Sequence, residues 1–128
     1  MVAAHLDVMA AKRFQELIAW QLADELEREV FVITKRLGDL KFRNQIRDAA
    51  ASGASNIAEG FGRFVPREFA RFLRIARGSL IETQEHLQRG QSRGYLNDPD
   101  FKRLSHLADR AIGAITRLIR YLDSQPPR

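Results

Sequence analysis

The sequence contains no cysteine, which excludes disulfide bonds, thiolate nucleophiles, zinc fingers and iron–sulfur clusters. It also lacks a long apolar run. The longest stretch without a charge is the ten residues 49–58, whereas a membrane-spanning helix needs about twenty apolar residues. Residues 1–11 have neither the basic start nor the apolar centre of a secretory signal. We therefore expect a cytoplasmic protein that does not enter a membrane.

Proline and glycine are scarce, and most of them fall at four places in the chain. These places are Gly38, residues 60–66, residues 90–99 and Pro126–Pro127. They separate four long segments in which apolar residues recur at helical spacing, and no segment shows the period of two that strands require. The pattern predicts an all-α protein.

The positions of the helices follow from the same proline and glycine residues, together with capping residues. We predict helices over residues 13–37 and 40–60, a third that begins at Pro66, and a fourth that Asn97 caps. Short connections favour antiparallel neighbours, so the expected architecture is an up-and-down four-helix bundle. A chain of 128 residues has room for one such domain. The predicted organisation is an N-terminal extension at 1–12, the bundle at 13–124 and a tail at 125–128.

The charge balance is basic, with 21 basic and 16 acidic residues, and seventeen of the basic residues are arginine. The charge is unevenly distributed along the chain: residues 1–34 carry −3, residues 35–77 carry +6, residues 78–101 carry −2 and residues 102–128 carry +4. The planar guanidinium of arginine favours partners that accept two hydrogen bonds at once, such as phosphate and carboxylate. Basic segments of this kind indicate nucleic acid or another acidic partner, although a solvated helix face explains them equally well.

Two motifs in the second and third segments carry a family resemblance. Residues 56–63 read NIAEGFGR, and residues 68–82 read EFARFLRIARGSLIE. The chain resembles the family of the 23S rRNA intervening-sequence protein, whose members read NIAEGxGR and then EFxxFLxIAxGSLxE, and the likeness covers about residues 12–96. Asp48 stands where the family commonly has a second base, and Thr83 replaces a leucine.

The resemblance implies a four-helix-bundle protomer that assembles into a homopentameric ring and has no known enzymatic activity. Relatives of this kind include the accessory protein of diversity-generating retroelements, a basic pentamer that binds nucleic acid and a reverse transcriptase. For this chain, the expected partners are therefore further copies of itself, RNA or DNA, and a protein such as a reverse transcriptase.

One flank of the second helix carries polar residues at spacings that bring them together on a helical wheel. We interpret this flank as a structural polar network, since no nucleophile, metal-ligand set or phosphate loop accompanies its carboxylate. The network consists of Gln45, Asn56, Glu59 and Arg63, with Ser52 between them. A di-iron site is excluded because Glu82, Glu85 and His86 have the wrong spacing for its Glu-x-x-His motif. We predict no catalytic residue, metal or cofactor.

Two arginine stripes are the candidate nucleic-acid-binding residues. The first consists of Arg67, Arg71 and Arg74 on the third helix, and the second of Arg103, Arg110 and Arg117 on the fourth. Phosphate contacts of this kind predict weak binding without sequence preference. No aromatic residue interleaves with these arginines on the exposed helix faces, so base stacking is not expected and duplex should bind about as well as single strand.

The third helix also predicts a subunit contact. Gly78 lies in mid-helix, where glycine is unfavourable unless another backbone approaches, and Ile75 and Ile81 lie outside the apolar face. A purely structural or protein-interaction ring without a nucleic-acid role is the alternative function.

Overall fold

The structure is a computed structural model that describes Val8 and residues 10–126. Four long α-helices and a short 3-10 turn account for most of these residues, and no strand occurs among them. The helices are α1 (Ile18–Ile33), α2 (Leu40–Phe61), α3 (Pro66–Ser92) and α4 (Asp98–Asp123). The predicted all-α, four-helix class is confirmed. Most of the predicted N-terminal extension (residues 1–7 and 9) and the last two residues of the predicted tail lie outside the described residues.

The first helix is shorter than predicted. A 3-10 turn at Phe14–Glu16 precedes it, and Leu17 is extended, with φ −74° and ψ 129°. The Glu16 carboxylate accepts hydrogen bonds of 2.8 Å from the backbone N–H groups of Lys12 and Arg13, which closes the turn before α1 begins. The break buries Leu17 and leaves Ile18 53% exposed.

The other helix starts agree with the sequence signals. Asn97 accepts a hydrogen bond of 2.8 Å from the backbone N–H of Asp100, as an N-cap should, and Pro66 occupies the first turn of α3. Asp39 caps α2 in the same way through the backbone N–H of Phe42. That hydrogen bond, together with one from the Tyr95 hydroxyl at 2.8 Å, lowers the pKa of Asp39.

Each helix packs against two others, an arrangement compatible with a bundle. The contact between α2 and α3 is the most extensive, followed by α3 with α4, while α1 lies against both α2 and α4. The shared core is aliphatic, and its largest fully buried side chains include Leu26, Ile46, Ile57, Leu73, Leu80, Leu104, Ile115 and Leu118.

Side-chain contacts show how α3 lies along α4. Arg77 donates to the Thr116 hydroxyl at 3.4 Å, and Gln84 donates to Asp109 at 2.7 Å. Residue numbers rise along α3 as they fall along α4, so these two helices run in opposite directions. No helix in the described part of the chain is long and apolar enough to cross a membrane.

Candidate nucleic-acid interface

The arginine stripe of α4 is exposed along its whole length. Arg103, near the start of the helix, pairs with Asp100 at 3.0 Å and with Glu29 of α1, and these hydrogen bonds raise its pKa. Arg110 and Arg117 make no ion pair or hydrogen bond with any described residue. Seven residues of helix separate these two guanidinium groups, a spacing of about 10 Å along the axis.

The arginine stripe of α3 is more fully paired. Arg71 lies 3.3 Å from the Glu68 carboxylate and 4.5 Å from the centroid of the Phe72 ring. Arg74 pairs with Asp123 at the end of α4. Within the described residues, Arg67 is the one member of this stripe without an ion pair. Phosphate binding by Arg71 or Arg74 would therefore compete with carboxylates already in place.

The two stripes do not form a single patch. Arg103 and Asp123, the partner of Arg74, lie at opposite ends of α4, about 30 Å apart along the helix. Thr116 faces α3, since it accepts a hydrogen bond from Arg77, whereas Arg117 shares the heptad position of Arg103, which pairs with Glu29 of α1. The sequence prediction did not include Arg77, whose guanidinium connects the basic half of α3 to Thr116 of α4.

An exposed aromatic residue lies near the arginines in sequence, outside the helix faces on which none was expected. Phe64 is 77% exposed in the loop between α2 and α3, between Arg63 and Arg67 in sequence. Its φ of 60° is in the left-handed region, the one such angle among the described non-glycine residues. The Phe72 ring lies 5.0 Å from Arg63. Helical wheels could not reveal Phe64, because it belongs to no helix.

The residues predicted to form one polar network on α2 lie in two separate groups, and Gln45 belongs to neither. Asn56 donates to the Ser52 hydroxyl at 3.0 Å, and Ser52 shares a hydrogen bond of 2.8 Å with Ser79 of α3, a residue that the sequence prediction missed. Glu59 and Arg63 form an exposed pair at 3.5 Å. Gln45 is also exposed and makes no hydrogen bond with the described residues.

This placement makes a specific prediction for Glu59. We expect Glu59→Ala to change the free energy of unfolding of the protomer by less than about 1 kcal/mol, because exposed ion pairs contribute little. Urea unfolding of the wild type and the variant measures the change. A larger loss, or a change in oligomeric mass, would show that Glu59 is buried against another subunit.

An acidic groove between α1 and α2 was not predicted. Asp24, Glu27 and Asp48 line it above a floor of small side chains, and its volume is about 450 Å³. Arg28 pairs with Asp24 at 3.1 Å, whereas Glu27 and Asp48 have no cation partner among the described residues. Burial and the nearby Asp24 carboxylate raise the pKa of Glu27. The net charge of −3 on residues 1–34 was the feature of the sequence that could have indicated this groove.

No group of three or more potential metal ligands occurs within the residues that the structure describes. His86, one residue of the excluded di-iron motif, is buried, and its ring packs edge-on against Phe42. Its Nε2 atom lies 3.3 Å from Glu82. These contacts indicate that His86 packs between helices as part of the structure.

Comparison with known proteins gives one family. The family model described as 23S rRNA-intervening sequence protein matches residues 15–117. A comparison with curated proteins gave no significant match.

Proposed function

The chain belongs to the 23S rRNA-intervening sequence protein family, and from that premise we propose that it is a non-enzymatic accessory protein that binds RNA or DNA through phosphates. The protomer is an up-and-down four-helix bundle, and copies assemble into a ring, which the family resemblance indicates to be a homopentamer. A partner protein such as a reverse transcriptase acts on the bound nucleic acid. Binding is weak for one subunit and independent of base sequence.

The observation that carries this proposal is the exposed, unpaired state of Arg110 and Arg117 on α4. Each presents a guanidinium that no described carboxylate neutralises, on a chain whose formal net charge is +5. Contacts to phosphate supply most of the affinity of non-specific nucleic-acid binding. A ring repeats the pair in every subunit, so contacts that are weak singly act together on one polyanion.

We expect the Arg110→Glu/Arg117→Glu variant to bind a labelled oligonucleotide at least about tenfold more weakly than the wild type, because phosphate contacts are lost and like charges repel. Fluorescence anisotropy with a mixed-sequence oligonucleotide at about 50 mM salt measures the affinity. Light scattering on the same samples verifies that the variant keeps its oligomeric mass.

A matched control separates position from net charge. Arg36→Glu/Lys41→Glu makes the same change in charge at the connection between α1 and α2, where both residues are exposed. This control should keep most of the binding. If both variants lost the same affinity for the oligonucleotide, the loss would reflect net charge and not the position of the α4 arginines. If the α4 variant bound as tightly as the wild type, the α4 stripe would not contact nucleic acid.

A structural or protein-interaction ring is the second candidate. It is favoured by the ion pairs that occupy Arg71, Arg74 and Arg103, three of the six predicted nucleic-acid contacts. The same titration discriminates the two functions: absence of binding by the wild type at low salt supports the structural ring.

A further inference from the structure

The outer face of α3 has three consecutive zones of different chemistry. Arg71 and Arg74 form a basic zone, Ile75, Gly78 and Ile81 form an apolar zone, and Glu82 begins an acidic zone. Ile75 is 43% exposed and Ile81 52% exposed, although both are aliphatic. A Cβ atom added to Gly78 would meet nothing within 4 Å. The α3 outer face is therefore flat and uncovered at its centre, while Arg71 and Arg74 in its basic zone pair with Glu68 and Asp123 of the same protomer.

The α1–α2 groove has zones of the opposite chemistry. Its acidic zone contains Glu27 and Asp48, which have no cation partner among the described residues. Phe31 and Val32 follow as an apolar zone and are 48% and 65% exposed. Arg47, whose guanidinium lies 4.1 Å from the centroid of the Phe31 ring, provides the basic zone.

The two series of zones coincide in order. Arg74 precedes Ile81 by seven residues, and Asp24 precedes Phe31 by seven residues, so one basic–acidic pair and one apolar pair can face each other about 10 Å apart along the two helices. When α3 is laid along α1 in the same direction, bases meet acids, isoleucines meet Phe31 and Val32, and Glu82 meets Arg47. Complementary charge of this kind fixes the register of an interface.

We propose that the α3 outer face of one copy of the chain packs into the α1–α2 groove of the next copy. The two surfaces belong to different helices, so the contact is head-to-tail and each subunit can use both surfaces at once. Such a contact closes into a ring or continues as a filament. The inference rests on the assembly included in the proposed function and assigns its two surfaces; it leaves Arg110 and Arg117 on α4 outside the contact.

Cysteine cross-linking tests the pairing directly, because the natural sequence has no cysteine. Val32→Cys and Ile81→Cys change exposed positions on the two surfaces. After the two variants are mixed, allowed to exchange subunits and oxidised, we expect a disulfide-linked dimer that neither variant forms alone. A dimer formed as readily by the Ile81→Cys variant alone would indicate a symmetric contact and overturn the proposal.

A second variant tests the flat centre of the α3 outer face. Gly78→Gln adds a side chain into open space within the protomer, so we expect the helix to be retained while the oligomer falls from about five times the chain mass of 14.6 kDa to the monomer. Gly113→Gln is the matched control, because it also replaces a mid-helix glycine. A Cβ atom there would meet only the flexible end of the Arg117 side chain. The control should keep the oligomeric mass.

These mass measurements are independent of nucleic-acid binding, so the interface and the proposed function can fail separately. A wild type that is monomeric at micromolar concentration would overturn the interface. An unchanged mass for Gly78→Gln would do the same. If Gly78→Gln keeps its mass and loses binding to the labelled oligonucleotide, the α3 outer face contacts nucleic acid and not a second copy.

Discussion

The Gly60→Ala variant is expected to lose about 1–3 kcal/mol of stability, the usual cost of inserting a methyl group into a well-packed core. A Cβ atom at residue 60 would lie 2.7 Å from the Phe72 Cβ and 3.2 Å from the backbone oxygen of Phe69. Neither atom is the far end of a flexible side chain, so α2 and α3 must move apart. Urea unfolding followed by circular dichroism measures the loss.

Gly62 provides the control for Gly60, because the two glycines lie in the same motif. A Cβ atom at Gly62 would meet backbone oxygens at 3.6 Å and 3.7 Å, which is ordinary contact, and its φ of −70° suits any residue. Gly62→Ala should therefore unfold at nearly the wild-type urea concentration. If the two variants were equally stable, the close approach of α2 and α3 at Gly60 would be wrong.

Leu80→Ala is expected to cost about 2–5 kcal/mol, the range for truncating a fully buried leucine. Leu80 has no exposed surface, and its Cδ2 atom lies 2.5 Å from the place where a Cβ of Gly53 would be. The substitution leaves a cavity between α2 and α3 at the middle of their contact. Thermal or urea unfolding of the wild type and the variant measures the loss in free energy of unfolding.

A double-mutant cycle makes this prediction specific to the pair. Gly53→Ala alone should destabilise the protein, because its Cβ competes with Leu80 for the same space. In the Leu80→Ala background the same methyl group occupies part of the cavity, so the two losses should sum to more than the loss of the double variant. Strict additivity would show that the two residues do not share this space.

The sequence was sufficient to predict most of the fold because the residues that begin and end its helices are chemically distinct. Pro66 and Asn97 mark helix starts by their own chemistry, and the helical spacing of apolar residues in four segments indicated four helices. The start of α1 could not be predicted from spacing, since the break at Leu17 depends on hydrogen bonds from the backbone of Lys12 and Arg13 to the Glu16 side chain. Periodicity does not register such local contacts.

The candidate interface was less predictable, because an arginine is free to bind phosphate only if no carboxylate nearby in space already pairs with it. Nothing local distinguishes Arg74 from Arg110, yet Asp123, distant in sequence, pairs with Arg74 and no described residue pairs with Arg110. The same limit applies to the acidic groove, where Glu27 and Asp48 come from different helices. Phe64 was missed because the prediction examined helix faces only.

Phe64 also changes the expected preference for nucleic acid. An exposed ring between Arg63 and Arg67 in sequence offers a base-stacking surface, and single strands expose the faces of their bases whereas duplexes do not. The earlier expectation that duplex and single strand bind alike therefore no longer follows. Competition between matched single-stranded and duplex oligonucleotides can be read in the same anisotropy titration.

The salt dependence of that titration tests the central claim most directly. Each phosphate contact that releases a counterion adds about 0.7–0.9 to the slope of the logarithm of affinity against the logarithm of salt concentration. We expect wild-type affinity to fall steeply between about 50 and 200 mM salt, and the slope of the Arg110→Glu/Arg117→Glu variant to be smaller. Absence of wild-type binding at about 50 mM salt, or an affinity that does not change with salt, would contradict phosphate binding by this protein.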